Sequence, residues 1–200
     1  AIQNLSDEGY VKKVQGKGTF ITYKKEKMYL NKPRGFKETL SSKGHSSKNE
    51  IIQASFLNAD GDISEKLSIP LNTKVVYLER LVWEDNEPMA IDKIYIEDEK
   101  FPGCITKLSK DRSFYTILEK DYNIQPKHAV LEIDGIIAQN QHADLLKCNI
   151  GDPLFSINKI SYDFEDKPIH YSSTIVRCDR ATYVVHTDNS NMMNTQTKTR

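Results

Sequence analysis

The fold of this chain is decided by two similar stretches, residues 75–90 (VVYLERLVWEDNEPMA) and residues 154–169 (LFSINKISYDFEDKPI). In each, apolar and polar residues alternate, an acidic turn and a proline follow, and a second alternating run begins (Met89–Ile96 and Ile169–Val176). Alternation with a period of two predicts β-strands, and the acidic turn predicts a hairpin. The stretches start about 79 residues apart, so we predict an internal duplication.

The similarity continues upstream of both hairpins. Short helices are predicted at Asp62–Leu67 and His142–Lys147, each preceded by a strand, at Glu50–Asn58 and Ala129–Ala138. Two strand–helix–hairpin units predict an α+β fold with one mostly antiparallel sheet and short helices packed on it. Such a pseudo-symmetric arrangement leaves a concavity between sheet and helices where a small ligand can bind.

A further helix is predicted between the two units. It runs from Ser113 to Lys120 and begins after Asp111, a residue type that caps helix N-termini. Its apolar residues at helical spacing predict a buried side made of Phe114, Ile117 and Leu118.

The first 23 residues follow another pattern. Ile2 and Leu5 predict the last turns of an amphipathic helix, and Gly9 stands where a left-handed helix C-cap is expected. Val11–Val14 and Thr19–Tyr23 predict two strands around the turn QGKG, whose glycines allow positive φ. A helix followed by a basic hairpin is the way in which a winged helix-turn-helix ends, so we predict residues 1–23 to be that remnant.

Charge supports this division. The first 34 residues contain eight basic and three acidic residues, whereas the whole chain is neutral. Lysines around a hairpin can neutralise phosphates, and one at its tip can enter a groove. Lysines that protect an exposed strand edge from aggregation would give the same charge pattern. The order of helix, glycine and hairpin favours the interpretation as a DNA-binding element. The predicted DNA contacts are Lys12, Lys13, Gly16, Lys17, Gly18 and Thr19.

The rest of the chain divides into three parts. Residues 24–33 (KKEKMYLNKP) predict a linker with an edge strand around Met28–Leu30. Residues 34–188 predict the large domain, which starts with a short helix up to Lys43, and residues 189–200 predict a polar tail.

Composition excludes several classes of protein. An apolar content of 38% suffices for one good core, and no apolar run is long enough to span a bilayer. The three cysteines are far apart and form no ligand pattern, so we expect free thiols, a reducing cytoplasm, no metal and no cofactor.

The motifs resemble a known family. Glu8-Gly9 and Gly16–Ile21 resemble the end of GntR-type winged-helix repressors, and the remainder resembles the UTRA effector-sensing domain of the HutC-like branch. The matching segments of that domain are Gly35-Phe36, residues 87–91 (EPMAI), 101–103 (FPG), 113–115 (SFY), 151–154 (GDPL), 168–172 (PIHYS) and 177–180 (RCDR).

The resemblance implies a cytoplasmic, metabolite-responsive transcription regulator, usually a repressor, that acts as a homodimer on a palindromic operator. It implies the fold of chorismate lyase, used for binding and not for catalysis. Carried over residue by residue, the implied effector contacts are Phe36, Lys37, Arg80, Asp92, Ser113, Tyr115, His170, Ser172 and Thr174.

Each contact has a chemical reason and an alternative. Arg80 can grip a carboxylate or phosphate with two nitrogens, or it can pair with Glu79 or Asp92 on the sheet. Ser113 can bind a ligand or only cap its helix, and Tyr115 and His170 can be packed aromatics. The segment Arg177–Arg180 is interpreted as a structural ion-pair network.

The class of effector stays open. Phosphosugar-sensing members of the family carry a second arginine where this chain has Val82, so a sugar, a sugar phosphate and a small acid are all compatible. A small-molecule-binding or lyase-like enzyme domain of the same fold, without a DNA role, is the alternative function. None of the five scattered histidines forms a recognisable catalytic motif.

Overall fold

A computed structural model describes residues 11–16, 18–21, 25–30, 47–109 and 112–187. Several predicted features lie outside these residues. They are the helix end before Gly9, the helix up to Lys43, the tail, and the predicted contacts Lys17, Phe36 and Lys37. The side chains of Lys12 and Lys13 also lie outside the description.

A six-stranded antiparallel sheet forms the centre of the fold. The strands, in chain order, are β1 (Val11–Val14), β2 (Gly18–Ile21), β3 (Glu26–Tyr29), β4 (Ser47–Asn58), β5 (Lys74–Glu84), β6 (Glu87–Glu97), β7 (His128–Ile137), β8 (Pro153–Tyr162), β9 (Pro168–Arg177) and β10 (Ala181–Val184). The central sheet has the order β4-β5-β6-β9-β8-β7. The predicted α+β fold with a mostly antiparallel sheet is therefore confirmed.

Short helices connect the strands. The helices of the described residues are α1 (Gly61–Leu67), α2 (Cys104–Lys107), α3 (Phe114–Tyr122) and α4 (Asn140–Leu146). None of those helices is long and apolar enough to cross a membrane.

The duplication predicted from the sequence is visible in the topology. One unit is β4-α1-β5-β6 and the other is β7-α4-β8-β9, and they meet where β6 pairs with β9. The helices α1 and α4 match in detail, since Asp60 and Gln139 are their N-caps and Ser68 and Lys147 are their left-handed C-caps. The two units are thus related by a pseudo-two-fold axis between β6 and β9.

Local chemistry explains the two central hairpins. In the β5–β6 turn, Asp85 and Asn86 both have positive φ, which matches the twist of the flanking strands. In the β8–β9 turn, the carboxylate of Asp163 accepts hydrogen bonds from the backbone N–H groups of Glu165 and Lys167, both at 2.9 Å.

The sheet is covered on both faces. On one, the α1/α4 face, Leu67 of α1 packs with Val75, and Leu146 of α4 packs with Leu81 and Ile91. On the other, the α3 face, one apolar cluster lies beneath α2 and α3, and a second lies beneath β3 and β10. As predicted, Phe114, Ile117 and Leu118 are the buried residues of α3.

Two small sheets accompany the central one. The strands β1 and β2 form the predicted antiparallel hairpin, with positive φ at Gly16 and Gly18. Part of the predicted linker forms β3, which pairs in parallel with β10 and buries Met28. The segment from Glu26 to Tyr29 is therefore anchored to β10, and the boundaries of the linker stay a prediction.

Candidate functional site

A stripe of polar side chains runs along the middle of the α3 face, between its two apolar clusters. His170, Ser172 and Thr174 alternate along β9, so they point to the same face, and all three are buried. Asp92 lies opposite Thr174, and Arg80 lies opposite Asp92 on the next strand. Burying polar groups costs free energy that a purely structural sheet avoids. We therefore treat this polar stripe as the candidate site.

Arg80 and Asp92 form a buried ion pair. Nε and Nη2 of Arg80 both donate to Oδ2 of Asp92, at 2.9 and 2.7 Å, and both side chains are 6% exposed. Thr174 donates from Oγ1 to the other carboxylate oxygen, Oδ1, at 2.8 Å. Pairing with Asp92 was one of the alternatives left open by the sequence, whereas Glu79 lies on the opposite face, 3.6 Å from Lys93. Two guanidinium nitrogens of Arg80 are therefore already engaged.

His170 is buried in an aromatic environment. Its ring packs edge-to-face against Phe114 and Tyr115, with centroids 5.1 and 5.4 Å apart. Nε2 lies 3.4 Å from the Tyr115 hydroxyl, and Nδ1 has no hydrogen-bond partner within the described part of the chain. Burial, with Lys159 and Arg80 nearby, lowers the pKa of His170 well below 6.5. The imidazole is therefore neutral at pH 7 and presents a buried nitrogen with unused bonding capacity.

The start of α3 borders the site. The Tyr115 hydroxyl lies 3.2 Å from that of Ser161, a completely buried residue on β8. Ser113 is the N-cap of α3, because its hydroxyl accepts a hydrogen bond from the backbone N–H of Thr116 at 3.4 Å. The prediction of Asp111 as the cap is wrong, since the extended residue before the first helical turn is Ser113, two positions later.

Sequence reasoning missed several polar residues on this face, among them Ser161, Lys159 and Asn49. Ser161 and Lys159 alternate along β8, and the ammonium of Lys159 lies 5.0 Å from the ring centroid of Tyr115. Asn49 on β4 is 4% exposed, and neither its amide nitrogen nor its oxygen has a hydrogen-bond partner within the described residues. A signal for Lys159 was present, because the duplication aligns it with Arg80. Asn49 had no such signal.

The predicted DNA contacts lie far from the stripe in sequence, on the hairpin β1–β2. Lys12 and Lys13 belong to β1, where they pair with Phe20 and Thr19. The turn residue Gly16 and the β2 residues Gly18 and Thr19 are exposed, as contact with an external partner requires.

The segment after β9 forms the expected ion-pair network. Arg177 binds Asp179 through two parallel hydrogen bonds of 3.0 and 2.7 Å and donates to the backbone oxygen of Leu146 at 3.1 Å. Arg180 lies 3.4 Å from Glu87. These contacts tie β9 to α4 and to the start of β6.

The cysteine thiols do not form a second site among the described residues. Cys104, Cys148 and Cys178 are free, and burial raises the pKa of Cys104 to about 11. Within the residues that the structure describes, no three histidine, cysteine or acidic side chains are placed to share a metal ion.

Comparison with known proteins identifies the family. The model of the UTRA domain matches residues 42–182, which is most of the chain. The chain belongs to the UTRA domain family. This domain therefore includes the central sheet and the polar stripe, as the sequence motifs predicted.

The relatives of this UTRA chain are transcriptional regulators by name. It is 32% identical over 186 residues to the uncharacterized HTH-type transcriptional regulator YurK of Bacillus subtilis, covering 93% of this chain and 77% of that protein. It is 33% identical over 185 residues to a probable fructoselysine utilization operon transcriptional repressor of Shigella flexneri, covering 92% and 76%.

A solved structure confirms the fold. The crystal structure of PhnF from Mycobacterium smegmatis superimposes with a TM-score of 0.82 at 23% identity and covers 94% of this chain and 82% of that one. The C-terminal domain of Yurk from Bacillus subtilis superimposes with a TM-score of 0.68 at 25% identity, covering 82% and 100%.

Proposed function

We propose that this chain is the effector-sensing part of a metabolite-responsive transcriptional repressor, and that the polar stripe on the α3 face binds the effector. The observation that carries the proposal is the stripe itself, a row of buried polar side chains on a central strand. The relatives named as repressors support the regulatory part. Effector binding shifts the protein toward a state with lower affinity for its operator.

Unused hydrogen-bonding capacity supports a ligand at this place. Nδ1 of His170 is buried without a partner among the described residues. An unsatisfied buried polar group costs about 1–3 kcal/mol. A bound molecule with hydroxyl groups can supply the missing bond, because each hydroxyl both donates and accepts.

The names of two relatives suggest a chemical class. One is the probable fructoselysine utilization operon transcriptional repressor of Shigella flexneri, and another, 20% identical over 179 residues, is the mannosyl-D-glycerate transport/metabolism system repressor of Escherichia coli. Both compounds join a sugar to a carboxylic acid. We propose a small sugar derivative as the effector of this chain, and fructoselysine is the first compound to test.

Operator DNA and a second copy complete the proposal. The exposed glycine hairpin β1–β2 is the wing that contacts DNA in the cytoplasm. A homodimer forms through the effector domain, whose edge strands β4 and β7 expose the apolar side chains Ile52, Val130 and Ile137. Light scattering should give twice the mass of the chain, and a monomer at micromolar concentration would contradict this part.

The polar stripe is suited to binding and not to catalysis. Its only carboxylate among the described residues, Asp92, is held by Arg80 and Thr174, and its histidine is neutral and packed between rings. A fixed acceptor of this kind suits recognition of hydroxyl groups.

Calorimetric titration with fructoselysine, combined with an operator-binding assay of the regulator, tests the function. Thr174→Val removes the hydroxyl that holds Asp92 and should weaken effector binding by about tenfold. Ser173→Ala is the matched control, because it changes the neighbouring residue on the opposite face. A ligand that binds Thr174→Val unchanged, or that binds without releasing DNA, would contradict the proposal.

A further inference from the structure

A cavity lies on the α1/α4 face, on the opposite side of the sheet from the polar stripe. It has a volume of about 320 Å³ and is bordered by the end of β4, the start of α1 and the strands β5, β6 and β9. Its lining includes Lys93 and Tyr95 on β6 and Tyr171 and Ser173 on β9. Along both strands these residues alternate with stripe residues, so the sheet itself separates the cavity from the stripe. A cavity of this size can hold a small organic molecule.

A row of tyrosine rings forms one side of the cavity. Tyr77, Tyr95 and Tyr171 lie opposite one another on three neighbouring strands, with ring centroids 5.1 and 5.6 Å apart. The hydroxyl of Tyr77 donates to Glu79 and that of Tyr171 donates to Asn158, both at 2.9 Å. Within the described part of the chain, the hydroxyl of Tyr95 makes no such bond. Because the faces of aromatic rings are electron-rich, rings that line a cavity attract cations.

Carboxylates complete the lining beside these rings. Asp60 and Asp62, at the start of α1, both border the cavity and are exposed. Asp60 is held in place, because it accepts a hydrogen bond from the backbone N–H of Ile63 at 2.9 Å. Neither of the two carboxylates has an ion-pair partner among the described residues. Glu97, two residues after Tyr95 and on the same face of β6, is a further carboxylate nearby.

The two lysines of this region are each beside a carboxylate. The ammonium of Lys93 lies 3.6 Å from Glu79. The ammonium of Lys66 lies 5.9 Å from the ring centroid of Tyr171 and 3.9 Å from Glu132. These lysines are therefore balanced, and the carboxylates of α1 leave the surroundings of the cavity negative.

The titration of the middle tyrosine agrees with this sign of the potential. Burial raises the pKa of Tyr95, and the neighbouring Tyr171 and the carboxylates of Glu79, Asp60 and Asp62 raise it further. A potential that disfavours an anion at the Tyr95 ring favours a cation there.

We propose that this cavity is a second ligand site, separate from the polar stripe, and that it binds a small organic cation with an alkylammonium group. The rings attract the positive charge and the carboxylates of Asp60 and Asp62 balance it. A carboxylate or phosphate ligand would instead meet both side chains as like charges. The inference goes beyond the proposed function, because it does not depend on which effector the stripe binds.

An NMR titration of the chain tests the site with three probes that share a two-carbon alcohol. Choline and ethanolamine are cations at pH 7, whereas 3,3-dimethyl-1-butanol has the shape of choline without its charge. The backbone amide signals of Asp62 and Tyr95 report the cavity, and the imidazole signal of His170 reports the stripe.

Four variants separate the contributions of charge and ring. Asp60→Asn and Asp62→Asn remove the charges, and asparagine at position 60 still caps α1. Tyr95→Leu removes the middle ring. Glu65→Gln is the matched control, because it removes a carboxylate from the same helix at a position that does not line the cavity.

Both cations are expected to shift the cavity signals in a saturable way, and the neutral alcohol should not. The Kd for choline should rise about threefold in Asp60→Asn and in Asp62→Asn, and about tenfold when the two changes are combined. Tyr95→Leu should raise it by about three- to fivefold. Glu65→Gln should change it by less than about twofold.

Four outcomes would overturn the inference. Equal binding of choline and 3,3-dimethyl-1-butanol would show that positive charge is not recognised. An unchanged Kd in the combined aspartate variant would remove the role of the carboxylates. A response of His170 that Thr174→Val abolishes, without a shift at Tyr95, would place the cation in the stripe. No saturable shift with either cation up to about 20 mM would exclude the second site. The proposed function would stand in the first, second and fourth cases, because it is read separately with fructoselysine and operator DNA.

Discussion

The two units of the UTRA domain have the same arrangement of strands and helix, but the residue that lies opposite the equivalent cation differs between them. In the first unit, Arg80 is paired with Asp92 inside the sheet, and the pair is nearly inaccessible to solvent. In the second, Lys159 is half-buried and faces Ser172. The same duplicated fold therefore places equivalent cations opposite a carboxylate in one unit and opposite a serine in the other.

The largest difference in stability between the units should appear when the residue opposite each cation, Asp92 or Ser172, is replaced. Asp92→Asn leaves the Arg80 guanidinium buried without a counter-ion, and breaking a buried pair in this way costs about 3–5 kcal/mol. Ser172→Ala, at the corresponding place in the second unit, should change the free energy of unfolding by less than about 1 kcal/mol. Urea denaturation of both variants measures the contrast, and equal losses would show that the pair is not what distinguishes the units.

Replacing the buried leucines of the equivalent helices α1 and α4 should give a smaller difference in stability between the units. Leu146→Ala removes a completely buried side chain from the cluster beneath α4 and should cost about 3–5 kcal/mol, toward the upper end for such changes. Leu67→Ala in α1 should cost less, about 2–3 kcal/mol, because its neighbours Ile63 and Val75 already line a cavity of about 320 Å³. The same denaturation experiment compares them, and a larger loss for Leu67→Ala would reverse the expected order.

Acid should weaken the second unit through His170, whose counterpart in the first unit is apolar. The pKa of His170 in the folded protein is far below 6.5, so below that pH only the unfolded chain takes up the proton. The contribution of neutral His170 to the free energy of unfolding is therefore fully present above pH 6.5. Below that pH it falls by up to about 1.4 kcal/mol per pH unit. Denaturation between pH 7.5 and 5 should show this slope, and His170→Gln should remove it. An unchanged slope in the variant would assign the pH dependence to other groups.

The smallest effects are expected at the helix ends. Ser68 and Lys147 cap α1 and α4 in the left-handed conformation, which glycine adopts without steric cost. Ser68→Gly should stabilise the domain by about 0.5–1 kcal/mol. Lys147→Gly should gain less, because it loses a cation–π contact of 5.1 Å with Trp83. Thermal unfolding measures both, and a destabilised Ser68→Gly would contradict the explanation by backbone conformation.

Local pattern predicted much of the fold. The alternation in residues 75–90 and 154–169 predicted the hairpins, and their similarity predicted the two units, because strand periodicity and turn chemistry are local properties. The cap of α3 was misassigned, because Asp111 and Ser113 are both good capping residues and only the backbone geometry distinguishes them. The parallel pairing of β3 with β10 joins segments about 155 residues apart, which no local pattern reports.

The candidate site was predicted only in part. His170, Ser172 and Thr174 were named from the resemblance, and the structure places them side by side with Arg80 and Asp92. Their individual roles as effector contacts stay predictions. Asn49 was missed, because its burial without a partner depends on which strands lie next to β4.

The sequence by itself determined the family, the duplicated strand–helix–hairpin units and the chemical types available on the central strands. It did so because these depend on residue order and on side-chain periodicity. Only the tertiary structure decided that Arg80 is neutralised by Asp92 while Lys159 faces a serine. The register of the strands determines which residues lie opposite each other, and therefore which charges meet in a buried, weakly screened environment.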